Sequence, residues 1–374
     1  MPVSQPDILL IGGGVIGLTT ALKLADRGVS VTLLDRQATG REASWAGAGI
    51  LPPGNPANAM TPESRLRSYS HSLWKDLAAD LYERTGIDNG YHVCGALEIC
   101  TAETQAQFAE HVHGWNEEGV RVHRLTRADA ERHVADLNEA ISEVVFLPDC
   151  AQIRNPRHVQ ALKAACLLRG VEIVEQAEGL TLQATGERIT EVRIHDREFQ
   201  FDTVCITAGA WSTSILRTLG LSIPVKPVRG QIAQLQLPVQ AFLCIVEVGR
   251  RYIVPRRDGL ILVGSTEEDA GFVKQNTTEG VAELLAFATM LVPSLAQAEV
   301  VRTWAGLRPG SPDELPLLGA VPGFSNLFLG AGHFRSGLQM SPATGTILAD
   351  LMLGRSPMIS LVGLSVDRFS IAAL

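Results

Sequence analysis

Three glycines near the start of the chain have a spacing that suits a dinucleotide cofactor. Gly12, Gly14 and Gly17 form the pattern GxGxxG. In that pattern the first glycine permits a tight turn, the second lets a pyrophosphate approach the backbone, and the third lets a helix pack closely on a strand. Asp35 follows Gly17 by 18 residues and can accept hydrogen bonds from a ribose diol. The alternative is a glycine-rich turn followed by an ordinary strand-end aspartate.

Two more segments rich in small residues could approach a cofactor. Residues 40–54 form a loop with apolar members at Trp45, Ile50 and Leu51, and residues 330–337 precede a helix. The N-terminus of that helix is a second anion site, which suits the edge of an isoalloxazine ring because negative charge appears there on reduction. The alternatives are a flexible surface loop and a helix entry that binds nothing. GxGxxG alone does not distinguish NAD from FAD. The loop at residues 40–54 favours FAD.

The elements that must position these residues begin with a β-α-β unit. Strands are predicted at Ile8–Ile11 and Val31–Leu34, with a helix between them that ends at Gly28. Asn155 before Pro156 predicts a helix start, with Asn155 as the capping residue. The chain is rich in short strands after residue 224, and a final helix is predicted from Pro342 to about residue 353.

Composition excludes several classes of protein. The chain has 374 residues, of which 46% are hydrophobic and 19% charged, so it can bury a large core. Its net charge of −8 and its lack of a basic run argue against partners such as nucleic acid or an anionic membrane. No window reaches the roughly 18 apolar residues of a membrane span. Six cysteines without CxxC spacing signal neither a metal site nor a redox pair, and they suit a reducing cytoplasm.

Five motifs occur in an order that resembles a known family. They are residues 11–17, 40–44, 207–212, 306–310 and 332–337. With them the chain resembles the D-amino-acid-oxidase-like FAD-dependent amine oxidases, and within these the glycine oxidases of the thiamine-biosynthesis type. The resemblance covers nearly the whole length.

The resemblance implies an α/β fold in which two domains share the chain. A Rossmann-like FAD-binding domain is expected from residues 1–55, 150–220 and 300–374. An antiparallel-sheet substrate domain of the α+β type is expected from residues 56–149 and 221–299. The FAD would be held noncovalently. Besides Gly12, Gly14 and Gly17, its contacts carry over to Val15, Ile16, Asp35, Arg36, Ala43, Ser44, Ala48, Gly49, Ile50, Gly179, His333, Phe334, Arg335, Ser336, Gly337, Leu338 and Gln339.

Three residues are implied at the substrate. Arg308 would clamp the substrate carboxylate through two parallel N–H bonds, although in isolation it reads as an exposed turn arginine. Tyr252 would donate to the same carboxylate, or it is simply a half-buried strand aromatic. Arg335 would lie near both flavin and substrate, or it binds backbone carbonyls instead. Two departures from the family, Arg250 and Glu267, leave the substrate open: Glu267 could attract the substrate amine or point to solvent.

The implied reaction is hydride transfer from the α-carbon of glycine or a similar small amine or D-amino acid to flavin N5. The products would be an imine or 2-oxo acid, ammonia and, from oxygen, hydrogen peroxide. No side-chain base is then essential. The alternative function is a D-amino acid dehydrogenase that passes electrons to another acceptor.

A homo-oligomer is compatible with the sequence. The remaining histidines are expected at the surface or in loops: His71, His92, His111, His113, His123, His133, His158 and His195.

Overall fold

The computed structural model describes residues 7–141, 143–238, 242–369 and 372–373. Its helices begin and end at local sequence signals. Thr61 caps one of them by accepting a hydrogen bond from the backbone N–H of Ser64, and Gly86 ends it in the left-handed conformation. In chain order the α-helices are α1 (Val15–Ala25), α2 (Ala43–Ala46), α3 (Pro62–Thr85), α4 (Gln105–Glu118), α5 (Arg127–Glu131), α6 (Asn155–Leu168), α7 (Ser212–Leu216), α8 (Thr278–Leu291) and α9 (Gly337–Met352).

The strands are mostly short. In chain order they are β1 (Ile8–Ile11), β2 (Val31–Leu34), β3 (Ile50–Leu51), β4 (His92–Val93), β5 (Ala96–Cys100), β6 (His123–Leu125), β7 (Glu143–Leu147), β8 (Ala151–Gln152), β9 (Glu172–Val174), β10 (Thr181–Thr185), β11 (Arg188–Ile194), β12 (Arg197–Phe199), β13 (Thr203–Ile206), β14 (Leu221–Ser222), β15 (Lys226–Gln236), β16 (Ile245–Val248), β17 (Arg251–Pro255), β18 (Leu260–Gly264), β19 (Glu299–Gly310), β20 (Leu317–Ala320), β21 (Leu327–Ala331) and β22 (Ala372–Ala373).

A six-stranded sheet contains the predicted β-α-β unit. Its order is β20-β21-β13-β1-β2-β9, and every neighbouring pair is parallel except β20 and β21. Both faces of β1 are covered: Ile8 and Leu10 join a core cluster with α1 and α6, whereas Leu9 and Ile11 join another with β10 and β11. Burial on both faces explains why this strand is a continuous apolar run rather than an alternating one.

An eight-stranded sheet forms the second large layer. Its order is β19-β15-β18-β17-β16-β5-β7-β6, and it is antiparallel except for the pair β16 and β5. The predicted α/β class is therefore confirmed. The domain limits stay a prediction. Strand β19, which begins next to the predicted boundary at residue 300, belongs to this sheet. Residues 1–6 and 374, at the ends of the predicted domains, lie outside the described residues.

One predicted helix start is confirmed, since α6 begins at Asn155, but the predicted capping role of Asn155 and the predicted start of α9 are wrong. Asn155 does not cap α6, because Arg154 takes the capping position and the Asn155 amide instead donates to the backbone oxygen of Ser44 at 3.0 Å. Helix α9 starts at Gly337, so Pro342 lies inside it. The proline leaves the Leu338 carbonyl without its helical N–H partner, and the hydroxyl of Ser341 donates to that oxygen at 2.8 Å.

Within the part of the chain that the structure describes, no helix is both long enough and apolar enough to cross a membrane.

Candidate functional site

A cavity of about 540 Å³ is lined by residues from both large sheets. Every residue that the sequence assigned to the cofactor or the substrate lines it, apart from Gly17. The cavity therefore brings together chain segments that are more than 300 residues apart, such as the loop after β1 and the start of α9. The individual roles of these residues remain predictions.

The first turn of the cavity wall depends on two of the glycines. Gly12 has a φ of 114°, and a Cβ there would lie 2.5 Å from the carbonyl carbon of Thr207. A Cβ on Gly17 would lie 1.9 Å from the backbone oxygen of Gly12, so Gly17 lets α1 pack against the turn. The N-terminal turn of α1 carries no acidic residue, and its Val15 N–H donates to Ser44 Oγ at 2.8 Å. This helix end suits an anionic group.

Asp35 lies at the carboxyl end of β2. Its two carboxylate oxygens each accept a backbone N–H at 2.9 Å, one from Gly13 and one from Gln37. Burial raises the pKa of Asp35 above its usual value, and the two backbone N–H groups oppose that rise. Each carboxylate oxygen keeps a further lone pair. The carboxylate can therefore accept hydrogen bonds from a ligand as well.

Residues 43–50 are folded rather than loop, with α2 followed by β3. Trp304 of β19 donates from Nε1 to the Ala46 oxygen at 2.9 Å. Arg256 donates to the Ala48 oxygen at 2.6 Å and to the Ile153 oxygen at 3.0 Å. Burial lowers the pKa of Arg256 to about 10, and the neighbouring charge of Arg154 acts in the same direction. Sequence reasoning missed Arg256, because nothing in the sequence separates it from the adjacent Arg257.

The C-terminal segment enters the cavity before α9. The first turn of α9 also lacks an acidic residue. His333 is buried, its Nε2 lies 3.1 Å from Thr344 Oγ1, and burial lowers its pKa to about 3, so the ring is neutral. The Phe334 N–H donates to the Pro309 oxygen at 2.9 Å, which joins this segment to the end of β19.

Arg308 and Tyr252 form the far wall of the cavity. The Arg308 guanidinium donates to Ser265 Oγ at 2.6 Å and to the Thr266 oxygen at 3.2 Å. Among the described residues it has no carboxylate partner within ion-pair distance. Burial lowers the pKa of Arg308 from its usual value, and the adjacent Tyr252 opposes this. A half-buried cation without an anion partner is available to bind a carboxylate.

Two glycines make room for these side chains. A Cβ on Gly230 would lie 2.2 Å from Arg308 Nη2, and a Cβ on Gly264 would lie 2.6 Å from the Tyr252 hydroxyl oxygen. Both glycines belong to the eight-stranded sheet, in β15 and β18. They let the guanidinium and the phenol lie flat against the sheet.

A cluster of charges lies beside this wall. Glu267 binds Nη1 of Arg250 at 2.9 Å and Nη1 of Arg335 at 3.0 Å, and Arg250 also binds Glu314 at 2.7 Å. Arg335 donates to the backbone oxygen of Arg250 at 2.6 Å, so it makes the carbonyl contact considered above. Partial burial acts to raise the pKa of Glu267, but Arg250, Arg335 and Arg308 together outweigh it, and the pKa lies below its usual value. Glu267 is therefore paired, rather than simply pointing to solvent.

Comparisons with known proteins settle the family. The model of the family described as FAD dependent oxidoreductase matches residues 7–351. The chain belongs to this family. It is 38% identical to a glycine oxidase of Pseudomonas aeruginosa over 356 residues, which cover 94% of this chain and 96% of the relative.

Solved structures agree with the sequence comparison. The crystal structure of glycine oxidase from Geobacillus kaustophilus superposes with a TM-score of 0.92 at 32% identity and covers 98% of this chain and 100% of its own. That of iminodiacetate oxidase from Chelativorans sp. BNC1 has a TM-score of 0.86 at 28% identity and covers 96% of this chain and 98% of its own. The expected family, the FAD cofactor and the class of FAD-dependent amine oxidase are thus confirmed.

The cavity fits FAD by its own chemistry. Helices α1 and α9 both begin at the cavity wall, and neither has an acidic residue in its first turn. The N-terminus of α1 suits the pyrophosphate, and that of α9 suits the reduced ring. Asn155 Oδ1 and Gln339 Oε1 are buried on the same wall, and neither has a hydrogen-bond partner in the described part of the protein. Buried oxygens of this kind need a donor, and the hydroxyls of FAD can supply one. Over the same residues, no cluster of His, Cys, Asp or Glu is arranged to hold a metal ion.

Two residues show where sequence reasoning fell short. His158 was expected in a loop or at the surface, but it is fully buried in α6, and its ring centroid lies 5.0 Å from that of Trp74 with the two planes tilted by 53°. Burial lowers its pKa to about 3. Glu247 was not considered, although it lines the cavity. The available signal was the strand 245–248, in which one carboxylate interrupts an apolar run.

Proposed function

We propose that the protein oxidises glycine or a similar small amine or D-amino acid and releases the 2-oxo acid, ammonia and hydrogen peroxide. The observation that carries this proposal is the Arg308 guanidinium, which is half-buried and without an ion-pair partner among the described residues, on the wall of the FAD cavity. A fixed guanidinium binds a carboxylate through two parallel N–H bonds, so an amino acid is the substrate class that best completes it.

When bound, FAD supplies a two-electron acceptor that oxygen can reoxidise. The side chains of this chain hold and orient the substrate. Arg308 fixes the carboxylate, and the Tyr252 hydroxyl, on the neighbouring part of the wall, donates to the same group. Gly230 and Gly264 keep the sheet surface open for both, so the α-carbon can lie close to the ring.

The cluster around Glu267 supports a small substrate. Arg250, Arg335 and Glu267 cross the region beside Arg308 in a chain of ion pairs. Of these three residues only Arg335 lines the cavity, so a long side chain on the substrate would meet Arg335, which Glu267 holds in place. The structural relative named for iminodiacetate, an N-substituted glycine with a second carboxylate, makes secondary amines reasonable candidates as well.

A peroxide-coupled screen tests the proposal. The purified holoenzyme is assayed in air with glycine, sarcosine, D-alanine, D-proline, iminodiacetate and a glycine ester. Peroxide formed with the free acids but not with the ester supports carboxylate recognition by Arg308. Turnover that requires an artificial electron acceptor and forms no peroxide would instead establish a dehydrogenase. No turnover in either format would overturn the proposal.

A further inference from the structure

One row of residues crosses the eight-stranded sheet beside the cavity. Glu98 of β5 is in register with Glu247 of β16, Glu247 with Tyr252 of β17, and Tyr252 with Gly264 of β18. Residues in register on neighbouring strands project from the same face of a sheet. The next row, which includes Val246, points to the core on the opposite face. Glu247 is therefore the neighbour of Tyr252 on the cavity side.

The Glu247 carboxylate lacks the partners that its neighbours have. Glu98 accepts hydrogen bonds from His111 Nδ1 at 2.6 Å and from Trp115 Nε1 at 3.3 Å. In the described part of the chain, no hydrogen bond or ion pair is made by the Glu247 side chain, which is half-buried and lines the cavity. A half-buried carboxylate that faces a cavity without a partner can bind a ligand that carries a cation or a hydrogen-bond donor.

The order of charges across the sheet matches a zwitterion. The Arg308 guanidinium lies over the end of β18, where it bonds Ser265, and Glu247 lies two strands away on β16. At a strand spacing of about 4.8 Å the backbones of β18 and β16 are roughly 10 Å apart. That span accommodates a charge-assisted hydrogen bond of about 2.8 Å at each end with a glycine-sized molecule between them. Carboxylate at Arg308 then places the ammonium group toward Glu247.

The groups around Glu247 bring the pKa of its carboxyl group close to neutral pH. Burial raises the pKa of Glu247 to about 7, and the charge of Glu98 acts in the same direction. His111 and Arg335 act to lower it. The hydrogen bond that His111 donates to Glu98 raises the pKa of His111 above its usual value. The buried thiol of Cys150 also faces Glu247.

We propose that Glu247 is a catalytic residue that takes the proton from the ammonium group of the bound substrate. An N–H bond of the substrate breaks, an O–H bond forms on the Glu247 carboxylate, and the electron pair stays on nitrogen. The neutral amine is the form whose lone pair can stabilise the loss of a hydride from the α-carbon. The proposal rests on the proposed function and extends it, because the resemblance implied no essential side-chain base.

The test compares pH profiles of flavin reduction. The holoenzyme is mixed anaerobically with the best amine from the screen, from about pH 6 to about pH 10, as wild type, Glu247→Gln and Glu247→Asp. We expect the wild-type rate to rise with a midpoint near 7. In Glu247→Gln the rise should move to the pKa of the free amine, with a loss of about 100-fold at neutral pH and recovery in alkali. Glu247→Asp should restore part of the neutral activity. Glu283→Gln, at an exposed ion pair with Arg251, is the matched control and should behave as wild type.

A binding measurement separates proton transfer from a structural role. Acetate has the carboxylate of the substrate but no ammonium group, and its binding is followed by the absorbance of the oxidised flavin. Glu247→Gln should bind acetate at least as well as wild type. Weaker acetate binding, or a pH profile that overlaps the wild-type curve, would overturn the role of Glu247. If none of the tested amines reduces the flavin of the wild type, the proposed function itself fails and this inference fails with it.

Discussion

The two ends of the cavity are built in different ways. The end near β1 is local: a strand, a glycine turn and a helix supply most of it within residues 8–35. The end near Arg308 is assembled from β15, β16, β17, β18 and β19, and its geometry depends on the register between them. The first end is a backbone cradle, in which Gly12 and Gly17 leave no room for a Cβ atom. The second end is formed by side chains, whose identity can vary.

The largest expected effect is at the backbone cradle. Gly17→Ala places a Cβ 1.9 Å from the Gly12 oxygen, so α1 and the turn must separate. We expect purified Gly17→Ala to lack bound FAD, as measured by absorbance near the flavin band. Gly114→Ala is the matched control, since a Cβ at Gly114 meets nothing within 4 Å. Retention of FAD at wild-type affinity in Gly17→Ala would show that the cradle is softer than the packing indicates.

The next effect is at the carboxylate clamp. Arg308→Ala removes the half-buried guanidinium, and we expect kcat/KM for the best amino acid to fall roughly 30- to 5,000-fold, which corresponds to about 2–5 kcal/mol of transition-state stabilisation. FAD content should not change. Arg302→Ala, at an exposed position on the same strand, should leave the kinetics unaltered. Wild-type kinetics in Arg308→Ala would remove this residue from the substrate site.

A smaller effect is expected at the phenol. Tyr252→Phe removes the hydroxyl that we propose binds the carboxylate and keeps the ring that packs against Gly264. The expected loss in kcat/KM is about 0.5–1.5 kcal/mol, or roughly 2- to 12-fold. Exposed Tyr82→Phe provides the comparison. If steady-state kinetics of the two variants coincide, Tyr252 only packs against the sheet.

The smallest effect concerns the charge cluster. Glu267→Met leaves Arg250 and Arg335 without their shared carboxylate. Because these groups are partly exposed, we expect the preference for iminodiacetate over glycine to rise by about fivefold or less. The ratio of kcat/KM for the two amines measures this, with exposed Glu279→Met alongside. An unchanged ratio would place Glu267 outside substrate recognition.

The same contrast explains what the sequence could predict. Spacing was enough for Gly12, Gly14 and Gly17, because a strand, a turn and a helix follow one another along the chain. Arg308 and Tyr252 were located by resemblance. Arg256 and Glu247 were missed, since their importance comes from strand register and from distant carbonyls rather than from their neighbours in sequence. Asn155 and Pro342 were misassigned because the Ser44 carbonyl and the Ser341 hydroxyl satisfy groups that local rules leave unpaired.

The hydrogen bond from Trp304 to Ala46 joins the two ends of the cavity through a single strand. Four residues further along β19 stands Arg308. The strand that orients the guanidinium thus also anchors the segment that approaches the cofactor, so neither can slide without the other. A substitution that displaces β19 should therefore disturb the position of Arg308 and that of the segment around Ala46 together.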